Sequence, residues 1–203
     1  MAKVHPHVNT ISTSSKQEVF TLWMKSLILS SNGCTIFDSN GKIVYRVDNY
    51  DQKCSNLVHV MDFTGKLLFT IVKKKFYVFR LWEGYRSSGK DVHEEKPGFR
   101  VKKIMGIIQN FLRFSRGCSL YKVMVGLDGN KPCDYVMESG TGKSSSCKIL
   151  DNLGGLVAEV KRKITPSGVV LGEEVLKMVV EPNVDHSLIV GLVVVFGLIH
   201  HKL

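Results

Sequence analysis

Glu181-Pro-Asn-Val-Asp-His-Ser-Leu-Ile-Val-Gly-Leu-Val-Val-Val-Phe-Gly-Leu-Ile199 is the segment that governs the architecture of the whole chain. From Leu188 to Ile199 it runs for 12 apolar residues without a break. As a helix it would span only about 18 Å at 1.5 Å per residue. A bilayer core of about 30 Å needs roughly 20 residues, so the run is too short to cross a membrane. A helix apolar on every side must be buried. Asn183 or Asp185 can cap its start, and His200, His201 and Lys202 suit the negative end of the helix dipole. Val190, Val193, Val194 and Val195 favour strand instead. Composition alone leaves helix and strand evenly matched.

Outward from that run the chain reads as β. Asp38-Ser-Asn-Gly-Lys-Ile-Val-Tyr-Arg-Val47, Asp62-Phe-Thr-Gly-Lys-Leu-Leu-Phe-Thr-Ile71 and Asp151-Asn-Leu-Gly-Gly-Leu-Val-Ala-Glu-Val160 share one pattern. Each places Asp, then Gly three residues on, then a mostly apolar stretch. Asp caps a tight turn through its side chain, while Gly41, Gly65 or Gly154 takes the positive φ that other residues avoid. Incoming strands are expected at Cys34–Phe37, Leu57–Met61 and Ser146–Leu150. A fourth hairpin is expected to turn at Lys73-Lys-Lys75 and return through Phe76–Trp82. Further strands are expected at Phe20–Leu29, Phe99–Lys103, Leu120–Val125, Cys133–Glu138 and Glu173–Val180. Such short strands and frequent turns fit an antiparallel sandwich or barrel. Glu83–Gly98, with Gly84, Gly89 and Pro97, reads as a surface loop. Ile104–Phe114 has helical apolar spacing, with a buried strand as the alternative.

Several segments together resemble the plant LURP-one-related family, which has a tubby-C-terminal-like fold. They are Phe20-Thr-Leu-Trp-Met-Lys-Ser-Leu27, Asn32-Gly-Cys-Thr-Ile-Phe-Asp-Ser-Asn-Gly-Lys-Ile-Val-Tyr-Arg-Val-Asp-Asn-Tyr50, Met61-Asp62, Leu68-Phe-Thr-Ile71 and Trp82-Glu-Gly-Tyr85. The end, Glu181-Pro-Asn-Val-Asp-His-Ser-Leu-Ile-Val-Gly-Leu-Val-Val-Val-Phe196, resembles the entry to the family's closing helix and the helix itself, and completes the set. The resemblance covers Phe20 to about Ile199 and is weakest from Glu83 to Lys148. It implies a mainly β fold, an antiparallel barrel of about 12 strands around one apolar C-terminal helix. It also implies kinship in fold with phosphoinositide-binding tubby proteins and with phospholipid scramblases, and a link to plant defence. Residues 1–18 are expected to be a flexible tail and 19–203 a single domain.

Charge supplies the functional clue. The chain carries a net +10, and Lys73 to Arg116 alone holds 12 basic against 4 acidic residues. A concentrated positive field favours phosphate-bearing partners, although a solvated surface explains such a run equally well. Lys73, Lys74, Lys75, Arg80, Arg100, Lys102, Lys103, Arg113 and Arg116 are the candidate anionic-lipid-binding residues. The expected partner is acidic phospholipid at a membrane surface. A nucleic-acid-binding transcriptional regulator is the alternative, without a helix-turn-helix, zinc-finger or RNA-binding signature to support it.

No enzyme, metal or cofactor is expected. Gly140-Thr-Gly-Lys-Ser144 invites a phosphate-loop reading, but the first glycine of that motif would fall on Met137, so a polar hairpin loop is preferred. His5, His7, His59, His93, His186, His200 and His201 fall in no recognised triad setting. Cys34, Cys54, Cys118, Cys133 and Cys147 form no CxxC pair. They read as reduced thiols of an intracellular protein, in the cytoplasm, at a membrane face or in the nucleus. The opening residues lack the apolar run of a secretory leader.

Overall fold

A computed structural model describes residues 13–25, 32–49, 57–76, 79–87, 96–104, 118–126, 133–140 and 146–200. Twelve strands close into an antiparallel barrel, and one helix fills it. The strands are β1 (Glu18–Trp23), β2 (Asn32–Phe37), β3 (Ile43–Asn49), β4 (Leu57–Asp62), β5 (Leu67–Phe76) and β6 (Phe79–Arg86). They continue as β7 (Phe99–Lys103), β8 (Cys118–Val125), β9 (Cys133–Gly140), β10 (Cys147–Leu150), β11 (Leu156–Arg162) and β12 (Val175–Val180). Each strand pairs with its sequence neighbours, and β1 pairs with β12, Phe20 opposite Met178, to seal the ring.

The closing helix, α1 (His186–Ile199), settles the balance between strand and helix propensity. His186 through Gly197 are all buried. Inward side chains from the whole ring meet them, among them Phe20, Val47, Val60, Ile71, Val101, Val123, Met137, Ile149, Val160 and Met178. A water-free tube offers an apolar lining in every direction, so a segment apolar on all sides is stable there as a helix. Local β propensity, worth tenths of a kcal/mol per residue, loses to that burial. Asp185 caps the helix, its Oδ1 accepting from the Ser187 and Leu188 amides.

The Asp–Gly turns form as their chemistry dictates. Asp38 Oδ1 accepts from the amides of Asn40 and Lys42, Asp62 Oδ1 from those of Thr64 and Lys66, and Asp151 Oδ1 from those of Leu153 and Gly155. Gly41, Gly65 and Gly154 have φ of 78°, 86° and 85°. All three turns lie at one mouth of the barrel, where α1 enters; its C-terminus points to the other mouth.

Three expectations are corrected. Lys73-Lys74-Lys75 is not a turn: β5 continues through all three lysines to Phe76, which pairs with Phe79 of β6. Glu83, Gly84 and Tyr85 belong to β6 rather than to a loop, and all three are buried. There the glycine is a packing device: Phe99, its cross-strand partner, occupies the space a Cβ at Gly84 would need. The expected strand from Phe20 to Leu29 is described only as β1, ending at Trp23. Of the Ile104–Phe114 stretch only Ile104 is described, and Thr141–Ser145 also lie outside the described residues, between the paired ends of β9 and β10. Residues 14 and 17 are held to the barrel: the Asn183 amide donates to the Ser14 carbonyl at 2.7 Å, and Gln17 to Glu181 at 2.8 Å.

Candidate functional site

The basic residues gather toward the mouth opposite the Asp turns, but they face two ways. Alternation along β5 to β8 puts Lys73 on the inward row with Trp82, and Lys74, Lys102 and Lys122 on one outward row. Lys73 sits at the rim, its Nζ 5.2 Å from the centre of the Trp82 ring. Trp82 is buried in the core, so the ammonium is held over the face of a fixed aromatic. Lys74 pairs with Leu81, Leu81 with Lys102, and Lys102 with Lys122. Like charges directly opposite in an antiparallel pair repel. Lys122 relieves part of that by bridging Asp134 at 2.8 Å. Lys102 and Lys103 end β7 with exposed side chains.

Two candidates occupy β5 and β6 by backbone only: Lys75 stands opposite Arg80 in the ladder. Arg113 and Arg116 lie outside the described residues. Arg100 stands apart from the rim group. Its Nε donates to Glu83 Oε1 at 2.6 Å, and the other Glu83 oxygen accepts from the Tyr85 hydroxyl at 2.6 Å. Glu83 is buried on the outer wall, and its charge is balanced by Arg100 there. Burial first, then the bond to Glu83 and its charge, push the Tyr85 phenol up to about 12. Arg100 therefore reads as a strut of the wall. Lys122 was missed in the sequence, because its place beside Lys102 follows from strand register alone.

Across the ring, six strands away, the same mouth carries a second basic group. Lys161 faces Lys177 across β11 and β12, and Lys163 donates to the Thr21 hydroxyl at 2.8 Å. The opposite mouth presents the carboxylates of Asp38, Asp62 and Asp151, each folded into its own turn.

Other chemistry-bearing groups act as fasteners. Ser139 Oγ lies 2.6 Å from His200 Nε2, tying the last turn of α1 to β9. Ser139 is wholly buried, which suits a tether and leaves no approach for a substrate. Burial raises the Cys34 thiol to about 12 and the Cys147 thiol higher still, Glu138 adding to the latter. Thiols so raised are unreactive. Between β1, β2 and α1 lies a gap of about 10 Å³ lined by Leu22, Met24, Cys34, Ile36 and three helix valines. That is room for about one water and no ligand.

The LURP-one-related family model matches residues 18–197. The chain belongs to that family. LURP-one-related 11 of Arabidopsis thaliana is 44% identical, over 98% of this chain and 89% of its own length. LURP-one-related 3 is also 44% identical, over 99% and 86%, and LURP-one-related 4 is 41% identical, over 98% and 87%. An Arabidopsis thaliana protein solved by X-ray crystallography superposes with a TM-score of 0.61 over 93% of this chain and 94% of its own, at 18% identity. This likeness shows the fold. In LURP-one-related terms, the segments that carried the resemblance in the sequence are β1 to β6 and α1 with its capped entry.

Proposed function

We propose that this LURP-one-related barrel is a non-enzymatic docking module for acidic phospholipid head groups, serving as a membrane-tethered signalling or defence adaptor. The supporting observation is the clustering of basic residues at one mouth. Lys73, Lys74, Lys102 and Lys103 cluster at one, with the backbone positions of Lys75 and Arg80 beside them. The other mouth is mixed, its Asp38 and Asp62 turns each carrying a lysine, Lys42 and Lys66. Each basic group near an anionic surface contributes about 1 kcal/mol. Several together give weak, salt-sensitive attachment.

The wall favours attachment by the mouth over insertion of the barrel. Its outward positions carry Arg46, Lys74, Arg100, Lys102, Lys122, Lys161 and Lys177. Charges at the lipid-facing midplane of a membrane barrel cost about 2–4 kcal/mol each. Among the described residues no helix is long and apolar enough to cross a bilayer.

Flotation with phosphatidylcholine vesicles, with and without phosphatidylinositol bisphosphate, tests the proposal. Binding to the acidic vesicles that fades with salt, and that is lost on changing Lys73, Lys74 and Lys75 to Glu without unfolding, is the expected result. Equal failure on both vesicle types at low salt ends it. Binding to DNA with a steep salt slope and indifference to lipid would give the site to nucleic acid instead.

A further inference from the structure

The link between β11 and β12 is a small hairpin standing above the basic mouth. The Thr165 hydroxyl accepts from the Val169 amide, Gly168 donates to the Thr165 carbonyl, and Ile164 bridges Val170. Its tip, Ile164-Thr-Pro-Ser-Gly-Val-Val-Leu-Gly172, contains no charged residue. Ile164, Val169 and Val170 are 58%, 59% and 48% exposed. Trp23, outward on the adjoining β1 and opposite Val175, is 38% exposed at the same level. Exposed apolar residues scattered singly need no explanation. Here three share one structured tip beside a tryptophan.

The base of the hairpin is charged, and the charges are sorted. Glu173 is bonded to Arg162 at 2.8 Å and Glu174 to Lys25 at 2.8 Å, so both acids are neutralised. Lys161, itself paired with Glu159 at 2.9 Å, Lys163 and Lys177 lie below on the wall. An apolar tip, an aromatic at its shoulder and cations beneath is the layering an interfacial element needs: acyl boundary, head-group zone, phosphate. The opposite mouth also exposes apolar tips, Phe63 and Leu153, but these sit on turns built around Asp62 and Asp151. Phe63 and Leu153 stand on separate turns, and Lys42, 5.1 Å from the Phe63 ring, and Lys66 offset the charge of Asp38 and Asp62, so that mouth joins no apolar cluster to a basic layer.

We infer that the 163–174 hairpin and Trp23 insert into the head-group layer of an acidic bilayer and anchor the basic mouth on it. The inference rests on the membrane reading above and adds to it a depth, an orientation and a second contact on the far side of the ring. The hairpin supplies non-electrostatic affinity that salt does not screen.

The test uses the full chain and vesicles of phosphatidylcholine with phosphatidylinositol bisphosphate, carrying bromine on shallow acyl positions. Tryptophan emission from the wild type should be quenched on binding, and the W23F variant, retaining only buried Trp82, should not be quenched. I164S/V169S/V170S should keep salt-sensitive binding but lose the quenching and roughly tenfold in affinity. Binding of the wild type to acidic vesicles without quenching, and with unchanged affinity in the triple variant, overturns the hairpin anchor while leaving the basic mouth standing. Absence of wild-type binding overturns both. Circular dichroism of each variant identifies loss through unfolding, and for an unfolded triple variant the quenching of the folded wild type decides alone.

Discussion

Phe99 rests on Gly84, its cross-strand partner, and its ring also closes on Gly191 of the plug, where a Cβ would stand 3.1 Å from the ring edge. A wall glycine and a helix glycine thus make the slot for one fully buried ring, which also tilts against Phe69 at 5.5 Å. Gly84→Ala should therefore lower the unfolding free energy by about 1–3 kcal/mol, the usual cost of overpacking. Urea denaturation measures it. The penalty should shrink when Phe99 is first reduced to Leu, because neighbours sharing one slot do not add.

Asp185 serves two ends at once. One oxygen caps α1, and the other accepts from Arg86, whose guanidinium lies 4.7 Å over the Phe69 ring. Asp185→Ala should cost about 1–2 kcal/mol. Asp185→Asn should cost less, because Asn also caps. Arg86 is substantially exposed, so the ion pair itself contributes little. Chemical unfolding of the two variants side by side checks the order.

The Tyr85 phenol gives an alkaline signature. Its folded pKa is raised to about 12 from 10. Between those values the unfolded chain has lost the proton and the folded chain keeps it. The folded state then binds more protons, so stability falls as pH rises through that window. Urea midpoints from pH 9 to 11.5 should drop more steeply for the wild type than for Tyr85→Phe.

Cys34 and Cys147 should resist alkylation at pH 8, since burial keeps both as neutral thiols. Site-resolved mass spectrometry with and without denaturant should show both modified only on unfolding. Rapid native modification of either would contradict the sealed interior.

Much of this fold is written in local chemistry. Asp38, Asp62 and Asp151 with the glycines three residues on dictate tight reversals wherever they occur, and the apolar run could only be a plug once a closed tube surrounds it. The lysine hairpin was misplaced for a physical reason. Three consecutive charges look like a solvent-exposed turn, but a strand ending at a barrel rim also frees its ammonium groups, as Lys73 over Trp82 does. Glu83 and Arg100 likewise read as surface residues because the partner that buries one charge lies 17 positions away. The 163–174 hairpin left no mark in the charge count at all. Its significance comes from exposure, which a sequence of isoleucine and valines does not record.

The strand ladder closes only when β12 reaches β1, and α1 follows every strand in chain order. A nascent chain must therefore hold eleven strands, their apolar faces wet, until the last fifth emerges and brings β12 and α1. Such long-range closure is slow and exposes sticky surface meanwhile. Chaperone demand during translation, and a steep loss of soluble product on any truncation after Val180, are built into the order in which the parts are made.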